Sequence, residues 1–215
     1  MAIAKDLNDV RRDYESSSIS KCDLHQNPFE QFGRWLQQAQ NLNLIDSTAM
    51  TLATADSDGQ PSARVVLLKG YDQNGFCWYS DSRSQKGRQL SKNPKAALLF
   101  HWRDLSRQIR VQGTVEQLAQ AQAENYFHSR PEGSRFSAAA SCQSAVVANR
   151  TELEAEVSRL RELYPDGNVP RPDAWVGYRL KPFYFEFWQG LVNRLHDRIV
   201  YQTDGGNWVK SRISP

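Results

Sequence analysis

At 215 residues and 40% hydrophobic content, the chain is long enough for one sizeable core and too short for two independent ones. A net charge of +3, with lysines and arginines scattered among acids, argues against a nucleic-acid-binding block. Cys22, Cys77 and Cys142 are odd in number and widely spaced, which speaks against a disulfide framework or a zinc site and fits a reducing cytoplasm. No apolar leader and no bilayer-length apolar run is present, so neither export nor a membrane partner is expected.

Residues 1–26 are polar and without sustained period, and read as a flexible arm ahead of a single domain over 27–215. Within the arm, Arg11-Arg12-Asp13-Tyr14 reads on its own as a solvated charge cluster. Asn27-Pro28-Phe29-Glu30 is a helix start with a capping box, followed by an apolar face of Phe29, Phe32, Trp35, Leu36 and Ala39. The period then changes to that of strands, over 50–56, 62–71 and 76–81, with turns at Asp58-Gly59 and Asn74-Gly75, which predicts a three-stranded antiparallel meander. In the middle strand, a period of two places Arg64 and Lys69 on opposite faces. Residues 82–90 lead into a short helix closed near Asn93-Pro94, a natural phosphate seat with its hydroxyls and lysine. Strands over 95–102 and 106–118 follow, joined at Arg103-Asp104.

A helix over 119–128 ends before Pro131, and Tyr126 and Arg130, four apart, share its face. Residues 137–148 are small and partly helical, and a capped helix opens at Thr151 with Leu153, Val157, Leu160 and Tyr164 as its apolar face. After a proline-rich loop, strands are predicted over 174–181, 183–189, 195–202 and 207–213, the last two around Asp204-Gly205-Gly206. About seven or eight strands in tight succession point to a closed or partly closed antiparallel barrel. The stretch 184–198, YFEFWQGLVNRLHDR, concentrates aromatics, arginines, a histidine and carboxylates. From composition alone it is either an exposed turn with a solvated charge run or a site.

E-F-W-Q-G at 186–190, followed after three residues by R-L-H-D-R at 194–198, resembles the C-terminal signature of the pyridoxamine 5'-phosphate oxidases. The resemblance spans roughly residues 11 to 215. It implies a mainly β, α+β fold, an antiparallel split barrel that binds flavin mononucleotide (FMN) at the two-fold interface of a homodimer. Arg64, Val65, Val66, Leu67, Leu68 and Lys69 match the family's R-[IV]-V-L-L-K strand along the flavin, with Lys69 also meeting substrate. By the same resemblance Tyr79, Ser80, Gln85, Lys86, Gln108, Gln143, Ser144, Trp188 and Arg198 fall to FMN. Gln85 stands where the family usually has arginine, which implies lower cofactor affinity unless Arg83 or Arg88 compensates.

For the substrate, the resemblance assigns Lys69, Tyr126, Arg130 and Ser134 to the vitamin phosphate, and Arg11 and Tyr14 to a lid. Arg194, Leu195 and His196 would cover the pyridine ring, with Arg194 and His196 catalytic and on one face if their segment is extended. The implied reaction is oxidation of pyridoxine 5'-phosphate or pyridoxamine 5'-phosphate by O2 to pyridoxal 5'-phosphate and peroxide. Neither metal nor nucleic acid enters this reading. Two alternatives stay open: a related flavin oxidase acting on another ring, and a non-catalytic flavin or vitamin-phosphate carrier.

Overall fold

The computed structural model describes residue 14 and residues 16–215. Arg11 lies outside the described residues. Contacts group the described residues into two compact units, one of those up to 47 with 99–111 and 184–215, the other of residues 48–98 and 112–183. Strands are β1 (Ala49–Ala55), β2 (Pro61–Leu67), β3 (Gly70–Asp72), β4 (Gly75–Asp81), β5 (Lys95–Trp102), β6 (Arg107–Gln117), β7 (Trp175–Gln189), β8 (Asp197–Asp204) and β9 (Asn207–Ile213). Helices are α1 (Pro28–Asn41), α2 (Gln85–Lys92), α3 (Gln120–Ser129), α4 (Glu132–Ala140) and α5 (Arg150–Leu163). The hydrogen-bonded path runs β2-β1-β5-β6-β7-β4-β3, with β8 on β7 and β9 on β8. No described helix is long and apolar enough to cross a membrane.

In the first unit, α1 starts as its sequence dictates: Asn27 accepts a hydrogen bond from the Phe29 backbone and Pro28 sits at the first turn. Its cap bond falls on Phe29, and Glu30 is exposed, so the expected capping box is not formed. Phe29, Phe32, Trp35, Leu36 and Ala39 are buried, each of the large ones contributing about 1.5–3 kcal/mol. They meet a wall of rings edge to face, Phe32 on Phe100, Trp35 on Phe187 and Phe29 on Phe185. Residues 19–25 are tied to the β8–β9 hairpin. Asp197 accepts from the Ile19 backbone, Arg212 donates to the Ile19 carbonyl, and Lys210 donates to the carbonyls of Lys21 and Leu24. This end of the polar arm is therefore fastened where composition alone implies mobility.

The second unit holds the β1–β2 hairpin, β3–β4, and an aromatic cluster of Phe127, Phe136 and Trp175 with Leu160 and Val169. The predicted meander does not form. The Leu68 backbone N–H donates to Thr48 and the Lys69 N–H to Cys77, so the chain changes partners between these two residues and the expected 62–71 strand becomes β2 and β3. The predicted break at Pro182 is absent, because β4 pairs with 175–180 and β8 with 184–189, leaving the proline between the two paired stretches. α5 is capped by Asn149, two residues ahead of Thr151, with the Asn149 side chain accepting from the Glu152 backbone.

Gly75 carries the β3–β4 turn at φ +137°, and a Cβ there would stand 2.0 Å from the Leu180 carbonyl oxygen. Gly75→Ala is expected to destabilise the chain by roughly 2–3 kcal/mol. A shift of the urea midpoint at unchanged slope checks this.

Candidate functional site

The second unit contains a cavity of about 700 Å³ lined by several separate segments of the chain. β2 supplies Arg64 to Leu67, the break after it Lys69, and the end of β4 Tyr79, Ser80 and Asp81. α2 adds Lys86, α3 and its C-cap add Tyr126 and Arg130, α4 adds Ser134 and Ser137, and the following loop adds Gln143. The expectation that Arg64 and Lys69 lie on opposite faces is overturned, since both line this cavity. The break at 68–69 resets the alternation. Leu68 is buried at 5% exposure and belongs to the core instead of the lining. Gly87 lets α2 start hard against Ser82, whose carbonyl oxygen would be 2.2 Å from a Cβ. That approach seats neighbouring Lys86 under the end of β4.

Four cations, Arg64, Lys69, Lys86 and Arg130, line the cavity, and Asp81 is the acid beside them. Lys86 Nζ donates to Gln143 Oε1 at 2.7 Å, Ser80 Oγ at 3.1 Å and Ser84 Oγ at 3.3 Å. Burial, with Arg64 nearby, lowers its pKa. Arg64 Nη1 donates to Thr54 Oγ1 at 2.6 Å and to the carbonyls of Leu52 and Ser62, and burial lowers its pKa too. Arg130 is half-buried, its pKa lowered by burial, and its Nη1 is buried without a hydrogen-bond partner among the described residues. Burial works to raise the Asp81 carboxyl, but hydrogen bonds from the Arg83 side chain and backbone and from the Gln143 backbone outweigh it and hold the group below the usual range. The acid is thus spent on Arg83, at 2.6 Å, and the cavity keeps a positive excess. Its apolar wall is a cluster of near-parallel rings, with Tyr79 4.0 Å from Tyr126 and 5.2 Å from Trp175, Tyr126 6.1 Å from Trp175, and the Arg130 guanidinium 5.1 Å over Trp175.

Two further expected residues of this unit stand off the lining. Gln85 is exposed, donating from Nε2 to Ser62 Oγ and from its backbone to Ser144 Oγ. Ser144, at φ +69°, supports the start of α2. Arg83 is held by Asp81 and Arg88 donates to the Arg83 carbonyl, so neither lines the cavity as a substitute for the missing arginine.

The remaining expected residues belong to the first unit. Trp188 pairs in register with Arg198 across β7 and β8. Arg198 Nε donates to Glu186 Oε1 at 2.7 Å and Nη1 to the Ser214 carbonyl at 2.8 Å. Gln108 is half-buried on β6. His196 packs against Trp188 at 4.7 Å and Tyr14 at 5.4 Å. Its Nδ1 accepts from the Leu191 backbone at 3.0 Å, which leaves the proton of the neutral ring on Nε2. Burial first, then Arg194, lowers its pKa, so the neutral ring prevails at pH 7. The segment is not extended as expected: residues Val192–Arg194 form a 3-10 turn with Asn193 and Arg194 at φ +54° and +62°. Arg194 and Leu195 are exposed.

Sequence reasoning missed Asp81, Ser137 and Trp175 in the lining, and Thr54 behind Arg64. Asp81 follows Tyr79-Ser80 directly and was readable as a strand-end acid. Thr54 and Trp175 carried no local signal, since their roles depend on which strand lies alongside.

The sequence pattern of the pyridoxamine 5'-phosphate oxidases matches residues 36–164, and that of the pyridoxine 5'-phosphate oxidase C-terminal dimerisation region matches residues 175–215. A pyridoxine/pyridoxamine 5'-phosphate oxidase of Bordetella petrii is 50% identical over 210 residues, 97% of this chain and 99% of the relative. One of Thermosynechococcus vestitus is 49% identical over 209 residues, again 97% and 99%. Among solved structures, PhzG of Burkholderia lata, in complex with tetrahydrophenazine-1-carboxylic acid, superposes with a TM-score of 0.88 at 31% identity, covering 95% of this chain and all of that one. The antiparallel strands with their five helices are the split barrel, and the chain belongs to the pyridoxamine 5'-phosphate oxidase family of oxidase enzymes.

Proposed function

We propose that this protein is an FMN-dependent oxidase that converts pyridoxine 5'-phosphate and pyridoxamine 5'-phosphate to pyridoxal 5'-phosphate, working as a cytoplasmic homodimer with FMN at the two-fold interface. The observation that carries the reading is the cavity's surplus of cations with a buried, unpartnered Arg130 Nη1, a donor set that suits phosphate monoesters. Arg64 and Lys86, with Gln143 and Ser80, are suited to the FMN phosphate. Lys69, Tyr126, Arg130 and Ser134 are suited to the substrate phosphate. FMN, when bound, would supply the redox chemistry, a two-electron acceptor for oxidation at the substrate's C4' carbon that O2 can regenerate, with peroxide as the by-product.

The protein's own task is to orient and to exclude water. The near-parallel rings of Tyr79 and Trp175 pack around Tyr126, the ring suited to the phosphate end. His196, with Nδ1 held by the Leu191 backbone, presents Nε2–H as a donor, and Arg194 offers charge to a ring oxygen. Tyr14 against His196 and Gly190 suits the lid role. Gln108, Trp188 and Arg198 are proposed as flavin contacts. Arg194→Met is expected to lower turnover about a hundredfold with flavin still bound. Unchanged turnover would remove Arg194 from the mechanism.

The test is anaerobic addition of pyridoxine 5'-phosphate to the FMN-loaded protein, followed by air. Bleaching of the flavin absorbance and its recovery, with pyridoxal 5'-phosphate and peroxide formed, is the expected result. The likeness to PhzG favours a second reading, oxidation of a ring acid without phosphate. Bleaching by such a compound and not by either vitamer would select it.

A further inference from the structure

Arg64 is held in an unusual way for a half-buried guanidinium. Every recorded partner is neutral: the Leu52 and Ser62 carbonyls, Thr54 Oγ1 at 2.6 Å and Gln89 Oε1 at 3.4 Å. Behind it the polar chain is closed. Thr54 Oγ1 donates to Gln89 Oε1 at 2.7 Å while Gln89 Nε2 donates to Ser62 Oγ at 3.1 Å. This fixes the orientation of the amide from both ends. Thr54 and Gln89 are 3% and 7% exposed, so the network is shielded from water and its geometry is worth more than at the surface. Lys86, the other cation here, likewise has only hydroxyl and amide acceptors as direct partners among the described residues.

A buried arginine is ordinarily matched by a carboxylate. Glutamate is the isostere of glutamine, and at position 89 it would pair with Arg64 and cancel its charge without any change of shape. We propose that Thr54 and Gln89 are positioning residues that aim Arg64 while leaving its charge uncompensated, and that this neutral cradle makes the cavity select a phosphorylated flavin over a phosphate-free one. The inference rests on the flavin reading given above and adds residues that the family resemblance did not assign. It also gives Gln85 a place, because its Nε2 donates to the same Ser62 Oγ that anchors Gln89.

Flavin-free full-length protein and its Gln89→Glu variant are titrated with FMN and with riboflavin by quenching of flavin fluorescence, at pH 8, where the phosphate is a dianion. In Gln89→Glu the Kd for FMN is expected to rise about tenfold or more, and that for riboflavin by less than about twofold. Wild-type affinity for FMN in this variant, or an equal loss for both flavins, overturns the proposal. Thermal unfolding of the flavin-free variants reports their folding. Should Gln89→Glu not fold, Thr54→Val removes the strongest bond to Arg64 without adding charge, and the FMN loss is expected to exceed the riboflavin loss several-fold. Equal losses there overturn the proposal. A wild-type protein that binds neither flavin removes the cofactor reading itself, an outcome distinct from wild-type binding that Gln89→Glu leaves unchanged.

Discussion

Arg130→Met is expected to lower kcat/KM for pyridoxine 5'-phosphate by about two to three orders of magnitude, chiefly through KM, with FMN affinity unchanged. The guanidinium sits at the C-cap of α3, at φ −75° and ψ 152°, just outside the helix that ends on Ser129. It lies over Trp175 and 5.9 Å from Phe127, a setting that fixes its plane and withdraws it from water. Burial disfavours its charge, and Nη1 has no partner to offset that cost. A group held in this state is a cost to the fold, and a phosphate offsets it with a charge-assisted hydrogen bond and direct Coulomb attraction. Removing both costs roughly 3–4 kcal/mol of binding, which is the stated change in kcat/KM. Methionine keeps the contact with Trp175, so the thermal midpoint is expected to hold or to rise. Steady-state kinetics with both vitamers and a melting curve separate the cases: an unstable variant of normal KM would make Arg130 a structural residue.

Much of the fold follows from local signals, and the departures share one cause. α1 is readable because Asn27, Pro28 and the spacing of Phe29, Phe32, Trp35, Leu36 and Ala39 all say the same thing within one segment. The hairpin of β8 and β9 is readable because Gly205 and Gly206 accept φ of +54° and +86°. The break between β2 and β3 is not readable. Leu67-Leu68-Lys69 continues an apolar strand run, and what ends it is that Thr48, just ahead of β1, and Cys77, on β4, claim successive N–H groups. The same holds for β7, where Pro182 reads as a stop until the partners on either side of it are known. At the site, motif resemblance picks out charged residues such as Arg64, Lys86 and Arg130, but the neutral groups that aim them, Thr54 and Gln89, are ordinary strand and helix residues until packing brings them together. Arg194 is the hardest case, because its left-handed backbone falls on a residue type without preference for it.

Glu186→Ala is expected to destabilise the fold by about 3 kcal/mol at pH 7 and to loosen FMN with it. Glu186 is 3% exposed and stands among three donors: Arg110 Nη2 at 2.6 Å, Arg198 Nε at 2.7 Å and the Tyr184 hydroxyl at 3.1 Å. Truncation leaves both guanidiniums without their counter-charge. They are partly exposed, so water recovers some of the loss, which keeps the figure at the lower end for a broken buried pair. Burial pushes the Glu186 carboxyl up, but the hydrogen bond from Arg198 and the charges of Arg110 and Arg198 outweigh it, and the group is held below its ordinary 4.5. With a depressed folded pKa, the stability it contributes is fully present above 4.5 and is lost as pH falls through the lower folded value. Glu186→Gln keeps the shape and an acceptor but not the charge. Its deficit against the wild type, measured by urea unfolding, is therefore expected to be constant from pH 8 to 5 and to shrink below that. A deficit that persists undiminished into acid would mean that packing, and not the ion pairs, is what Glu186 supplies. Because Arg198 is steadied by Glu186 and the Ser214 carbonyl alone among its recorded hydrogen-bond partners, the same substitution is expected to weaken FMN binding under conditions where the protein remains folded. That separates its proposed service to the cofactor, through Arg198, from its service to the fold.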